Sequence, residues 1–235
     1  MSGKLYLIPN TLGEYNIDQV IPAHVKNIVN TLDYFVVENE RTARRYLSRM
    51  GISKPIDQLF FTVLDEHSRN EEVESMLAPL FKNFDVGIIS EAGVPAVADP
   101  GSALVNLAHK HQIQVIPLVG PSSIILSLMA SGLNGQNFAF RGYLKIKKEE
   151  RLKQIRMLEK CSQVEKQTQI FIETPYRNEQ LFDDLVSNCQ PETLLCIAAD
   201  ITLSTEFIST KAIKEWKKKK PDIKKRPAIF LLQRY

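Results

Sequence analysis

Apolar residues in this chain gather into short runs separated by amphipathic stretches. Residues 5–9, 34–38, 59–64, 86–90 and 115–119 are almost uninterruptedly β-branched, leucine-rich or aromatic. That pattern suits central strands of a parallel sheet covered on both faces. Between them the helical period predicts helices around 21–32, 40–50, 70–84 and 100–111. Strand–helix alternation of this kind implies βαβ units and a doubly wound sheet.

Beyond residue 119 the pattern changes. A helix over 124–131 is followed by "FAFRGYL", a charged helix over 147–165, "QIFIET", a helix over 176–187, and then "LLCIAAD", "STEFIST" and "AIFLLQRY". Several of these strands follow one another without a helix, which predicts a mixed sheet. The expected fold is α/β in two domains, 1–119 and 120–235, mostly parallel in the first and mixed in the second, with a cleft between them.

Composition narrows the class. The 235 residues are 44% hydrophobic and 24% charged with net charge +3, which is ordinary for a globular protein. Three cysteines, Cys161, Cys189 and Cys196, form no C-x-x-C pair and point to reduced thiols. A strand-like run begins almost at once, and no apolar run nears the roughly 18 residues of a membrane span. A soluble, cytoplasmic protein without membrane or metal partners is expected.

The segment "SEAGVPAVADPG", residues 90–101, packs two glycines, two prolines and two carboxylates into one strand-to-helix junction. Gly93 admits a backbone conformation or a close ligand approach that a side chain forbids, and Pro95 stiffens the exit. Asp99 and Pro100 fit a helix cap and first turn. Glu91 beside the amides of Gly93 and Val94 suits a ligand with a hydroxylated sugar. Neither a G-x-G-x-x-G fingerprint nor a Walker sequence occurs, so dinucleotide and polyphosphate readings fail.

Taken together, the loops resemble those of the tetrapyrrole methylase superfamily of S-adenosylmethionine-dependent methyltransferases. The family's P-T-P-I-G-N is similar to "IPNTLGE" here, E-D-T-R to "ENER", and S-D-A-G-T-P…D-P-G to "SEAGVPAVADPG". Its G-P-S/C-A, F-x-G-F-L-P, F-Y-E-S/T-P-H-R and A-R-E-L-T-K resemble "GPSS", "FRGYLK", "FIETPYR" and "AADIT" in the same order. Within the superfamily the chain most resembles the branch that methylates a ribose 2′-hydroxyl of 16S ribosomal RNA. The resemblance implies S-adenosylmethionine in the interdomain cleft. Its contacts would be Thr11, Leu12, Glu91, Ala92, Gly93, Val94, Pro95, Ser122, Ser123, Ile124, Thr174, Ala199 and Ala228. It also implies a homodimer and a partner in ribosomal RNA or the small ribosomal subunit.

Departures accompany the resemblance. Glu91 replaces an aspartate, Val94 a threonine, Asn39 an aspartate and Lys145 a proline, and the A-R-E-L-T-K stretch has lost both basic residues. A small-molecule or protein acceptor, or a cofactor-binding module without catalysis, therefore stand as alternatives. Ribose methylation requires loss of the hydroxyl proton, for which a carboxylate, a histidine or a lysine within reach is suited. Glu38, Glu173 and Asp200 stand at strand ends, and Arg177 (like Arg41) would bind phosphate or orient a carboxylate. Glu173 and Arg177 equally fit a helix-start ion pair. His67 matches a family histidine, whereas His109 and His111 cannot share a helix face. The run "KEWKKKKPDIKKR", residues 214–226, together with Lys145, Lys147 and Lys148, offers a surface for RNA phosphates, with Trp216 beside it.

Overall fold

A computed structural model describes residues 2–14, 16–65 and 67–235, the Asn70 side chain excepted. The chain divides into two compact units, Met1–Ser122 and Ser123–Tyr235, each built on its own five-stranded sheet.

In the first unit the strands are β1 (Leu5–Ile8), β2 (Tyr34–Val37), β3 (Phe60–Val63), β4 (Val86–Ile89) and β5 (Val115–Pro117). All pair in parallel in the order β3-β2-β4-β1-β5. Helices α1 (Ile17–Val20), α2 (Ala23–Val29) and α3 (Glu40–Met50) bury Ile17, Val25 and Tyr46 against Ile8, Phe35 and Ile89 on one face. On the other, α4 (Asn70–Ser75), α5 (Ala78–Phe81) and α6 (Gly101–Lys110) set Val73, Leu80 and Leu104 against Leu5, Val36 and Ile88. The chain leaving β1 crosses β4 to reach β2, while the chain leaving β4 crosses β1 to reach β5. The two connections depart in opposite directions, so the carboxyl ends of β1 and β4 flank a topological switch point, where open α/β sheets bind ligands.

Several local expectations are corrected. β3 and β5 are not central strands covered on both faces but the two edges of the sheet, with Phe60 58% exposed on β3. The β3 apolar run is supported across strands, Phe60 stacking on Tyr34 at 4.9 Å and Phe61 on Phe35 at 5.7 Å. The stretch 70–84 forms two short helices, with Pro79 in the first turn of the second, and Pro22 delays α2 to Ala23. Finally, α6 begins one residue later than expected, because the Asp99 carboxylate accepts both Ala96 N and Gly101 N, at 2.7 and 2.8 Å.

The second unit contains β6 (Phe138–Tyr143), β7 (Thr168–Ile172), β8 (Leu194–Ala199), β9 (Phe207–Ala212) and β10 (Ala228–Gln233), in the order β6-β7-β10-β8-β9. Only β6 and β7 are parallel. The helices are α7 (Ser123–Ser131), α8 (Lys148–Glu165), α9 (Asn178–Asn188) and α10 (Ile213–Trp216). The last three share a core with Phe171, Phe230 and Ile197. A buried ion pair, Arg151 to Asp184 at 2.6 Å, joins α8 to α9, and the Arg151 guanidinium also donates to Ile146 O.

Gly87 sits in the middle of β4, where a Cβ would lie 2.4 Å from Ile8 Cδ1 and 3.0 Å from Leu32 Cδ1. Gly87→Ala is therefore expected to destabilise the protein by about 1–3 kcal/mol through overpacking. The urea midpoint would fall at unchanged slope.

Candidate functional site

The switch point is built by one side chain. Asn10, 7% exposed just after β1, donates from its carboxamide to Ser90 O and Glu91 O, both at 3.0 Å, while its Oδ1 accepts Thr11 N at 2.8 Å. Its backbone amide donates to Gly93 O at 2.7 Å in an isolated antiparallel bridge. Gly93 adopts φ +72°, and a Cβ there would press on Leu12 Cδ2 at 3.3 Å. Ala96 and Ala98 are also left-handed, which for alanine stores strain of the kind found at ligand clamps. Thr11, Leu12 and the segment from Glu91 to Val94 thus form one assembly. Gly93 and Pro95 are buried within it, and Glu91 and Ala92 are presented to solvent. Ser122 lies at the end of the unit, in the loop after β5.

Two buttresses fix this assembly. Thr42 on α3 donates its hydroxyl to Glu91 Oε1, and Tyr46 donates to Pro9 O at 2.6 Å. Asn39 is the cap of α3, accepting from Arg41 N and Thr42 N, which accounts for its presence in "ENER". Asn10, Thr11, Leu12, Arg45, Arg49 and Glu91 line an open cavity of about 250 Å³. A larger depression of about 510 Å³ lies along β2 and β3, away from these loops. At the end of β2, Glu38 accepts a 3.2 Å hydrogen bond from Glu91 N. Burial raises its pKa above the ordinary carboxylate value, and the charges of Asp99 and Glu91 add to the shift.

In the second unit, antiparallel pairing brings the carboxyl ends of β7 and β8 to the amino end of β10. Ala228 stands opposite Ala199, and Ile229 opposite Ile172, so Glu173, Thr174, Ala199, Asp200 and Ala228 share one end of the sheet. Ser123 and Ile124 instead open α7. The Glu173 side chain is 1% exposed and accepts Arg177 Nε and Nη2 at 3.0 and 2.6 Å, plus Thr174 N at 2.7 Å. This is the helix-start ion pair that the spacing allowed. Asp200 accepts Arg226 Nε at 2.7 Å and Thr205 Oγ1 at 2.8 Å, in a loop where Asp200 and Thr202 are both left-handed. Arg226 thereby brings a guanidinium to the loop whose sequence has lost its own, a partner that motif reading missed because it lies 26 residues away.

The basic run separates into two kinds of residue. Lys214 pairs with Glu192 at 2.8 Å, Lys220 with Asp183 at 2.9 Å, and Arg226 with Asp200. Lys217, Lys218, Lys219 and Lys224 are exposed and make no ion pair among the described residues. Trp216 does not lie on this surface. It is 2% exposed, donates Nε1 to Leu195 O at 2.9 Å and packs edge-on against Phe182. Among the described residues, no three His, Cys, Asp or Glu side chains gather as a metal site.

Curated relatives align over nearly the whole chain. The ribosomal RNA small subunit methyltransferase I of Haemophilus influenzae is 27% identical over 236 residues, covering 99% of this chain and 79% of that protein. The Synechocystis protein of the same name is 30% identical over 200 residues, covering 85% and 67%. No protein-family model matches the chain. Among solved structures, the methyltransferase CobJ superposes with TM-score 0.65 at 17% identity, covering 99% of this chain and 94% of that one. The uroporphyrin-III C-methyltransferase of Thermus thermophilus, complexed with S-adenyl homocysteine, gives 0.57 at 14%, covering 98% and 97%. These structures share the tetrapyrrole methylase fold with this chain.

Two measurements probe the assembly. Asn10→Ala leaves two carbonyls without their donor and is expected to cost roughly 1–3 kcal/mol. Faster amide exchange over residues 90–95 would accompany the loss. The raised Glu38 pKa means the folded state holds that proton more tightly than the unfolded chain. Its contribution to stability is full below the unfolded value of 4.5 and is lost as pH rises through the folded value. Glu38→Gln should flatten the fall in urea midpoint across that window, and identical slopes would contradict the assignment.

Proposed function

We infer that this chain, which belongs to the ribosomal RNA small subunit methyltransferase I family, transfers a methyl group from S-adenosylmethionine to a ribose 2′-hydroxyl of 16S ribosomal RNA. The observation that carries the reading is the Asn10-stapled loop pair at the switch point of the first sheet. It presents an exposed carboxylate, Glu91, beside a left-handed glycine that lets Leu12 pack closely against the turn. That chemistry fits a ligand with ribose hydroxyls and an adenine edge. The cofactor contacts we assign are Thr11, Leu12, Glu91, Ala92, Gly93, Val94, Pro95 and Ser122 in the first unit, and Ser123, Ile124, Thr174, Ala199 and Ala228 in the second.

When bound, S-adenosylmethionine supplies an electrophilic methyl on a sulfonium. The chain's own tasks are to position the acceptor oxygen in line and to take its proton. Among the three strand-end carboxylates, Glu173 and Asp200 are each committed to a guanidinium and to a further hydrogen bond within their own loop. Glu38 accepts one long hydrogen bond and is more basic than an ordinary carboxylate. We assign it the proton-accepting role, with Arg177 and Arg226 holding Glu173 and Asp200 in place. Lys217, Lys218, Lys219 and Lys224, exposed and without an ion pair among the described residues, would meet RNA phosphates, each contact steepening the salt dependence of binding. A homodimer in the cytoplasm completes this reading.

The test is transfer of radiolabel from S-adenosylmethionine to 30S subunits, or to free 16S ribosomal RNA, lacking the relevant ribose methyl. Calorimetric titration of the cofactor runs alongside. Label on a single 2′-hydroxyl is expected, with kcat lost in Glu38→Gln and cofactor affinity retained. Cofactor binding without label on RNA would move the acceptor elsewhere, and absence of cofactor binding would overturn the reading of residues 90–101.

A further inference from the structure

We propose that Tyr176 is a stacking platform for a nucleobase of the RNA substrate, with Lys225 covering one face of its ring and the other left for the base. The proposal rests on the ribosomal RNA reading above and deepens it by naming the residue that holds the acceptor strand.

Tyr176 is 81% exposed, more than any other large apolar or aromatic side chain among the described residues. Nothing in the local fold requires an aromatic ring there, since the core of this unit is complete without it. Its backbone is nevertheless held firmly. Pro175 precedes it, Arg177 N donates to Thr174 O at 2.9 Å, and Lys225 N donates to Pro175 O at 3.1 Å. The last bond brings the far end of the basic run onto this turn and places Lys225 Nζ 5.9 Å from the ring centroid, within cation–π range. A solvated ring with a lysine over it fits the chemistry of single-stranded RNA sites, where bases stack on aromatics while lysines follow the phosphates. Lys217, Lys218, Lys219 and Lys224 belong to the same run and carry charge not committed to an internal pair.

Position in the chain strengthens the case. Tyr176 lies two residues from Thr174 and three from Glu173, at the sheet end that also gathers Asp200 and Ala228. A base held on this ring would fix its own ribose near those groups. The sequence suggests Trp216 as the aromatic of the basic run, but that indole is buried and hydrogen-bonded inside the core. The structure thus replaces a structural tryptophan with an exposed tyrosine as the candidate for stacking.

The test compares the full-length wild-type chain with Y176A and Y176F. A short fluorescein-labelled single-stranded RNA serves as binding probe, and 30S subunits lacking the ribose methyl serve as methyl acceptor. Y176A should weaken RNA binding about 5- to 150-fold, the range seen for one lost stacked base. Y176F should bind as wild type, and melting temperature and cofactor affinity should be unchanged in both. In transfer, Y176A should raise KM for the subunit more than it lowers kcat. Wild-type RNA affinity in Y176A would overturn the proposal. So would a Y176F defect equal to that of Y176A, or a change of oligomeric state in Y176A on sedimentation that seats the ring against a second copy. Failure of the wild type to bind RNA would overturn it as well. Tyrosine-dependent RNA binding by a wild type that transfers no methyl would leave stacking intact and remove the methyl-transfer reading alone.

Discussion

The first unit's ligand-facing surface depends on the carboxamide of Asn10. Two loops that leave neighbouring parallel strands have no ladder to hold them together beyond the strand ends, and here about 80 residues of chain separate them. Asn10 closes that gap with two donors and one acceptor on a single short side chain. Aspartate could not donate, and alanine could do neither. The left-handed Gly93 and the Glu91–Thr42 contact lie in the loop that this staple holds, and Asp99 ties down Ala96 N farther along. Gly120 serves the same loop from behind, because a Cβ there would lie 2.1 Å from Pro9 Cβ.

The second unit solves the same problem with charge. Its strand ends are drawn together by antiparallel pairing, and the loops beyond them are tied by Arg226 to Asp200 and Arg177 to Glu173. Both carboxylates are at least nine-tenths buried, and each accepts hydrogen bonds besides its ion pair. Removing either guanidinium would leave a buried charge uncompensated, an expensive outcome. These pairs hold the loops in place, whereas Glu38, the carboxylate proposed as proton acceptor, has no guanidinium partner and accepts a single backbone hydrogen bond.

Much of this was legible in the amino-acid order. The helix Glu40–Met50 is read to the residue, because Asn39 caps it and Gly51 ends it in the left-handed region. The ten strands among the described residues are foreseen within a few residues, since apolar runs bounded by turn residues mark them. What the order does not reveal is pairing at a distance. Nothing in "IPNTLGE" says that Asn10 bonds residues 90 and 91, and nothing in a lysine-rich run says which cations are tied to carboxylates on other elements. The edge position of β3 was hidden for a related reason: hydrophobic continuity records which side chains prefer burial, not which strands lie beside them.

The same distinction bears on the residues at which this chain departs from its family's motifs. Read along the sequence, a longer carboxylate at Glu91 and the missing arginine after Ala198 look like erosion of a site. In three dimensions each is matched. The extra methylene of Glu91 accompanies a carboxylate bonded to Thr42 on α3, and Asn39 supplies the cap that begins that helix one residue later. Arg226, arriving from the loop before β10, sets a guanidinium against Asp200 in the stretch that lost its own. A site drifting toward inactivity would carry such substitutions without partners, leaving buried charges and unsupported loops. Here Glu91 and Asp200 both have partners, so the loops that carry them are supported and the buried Asp200 charge is compensated.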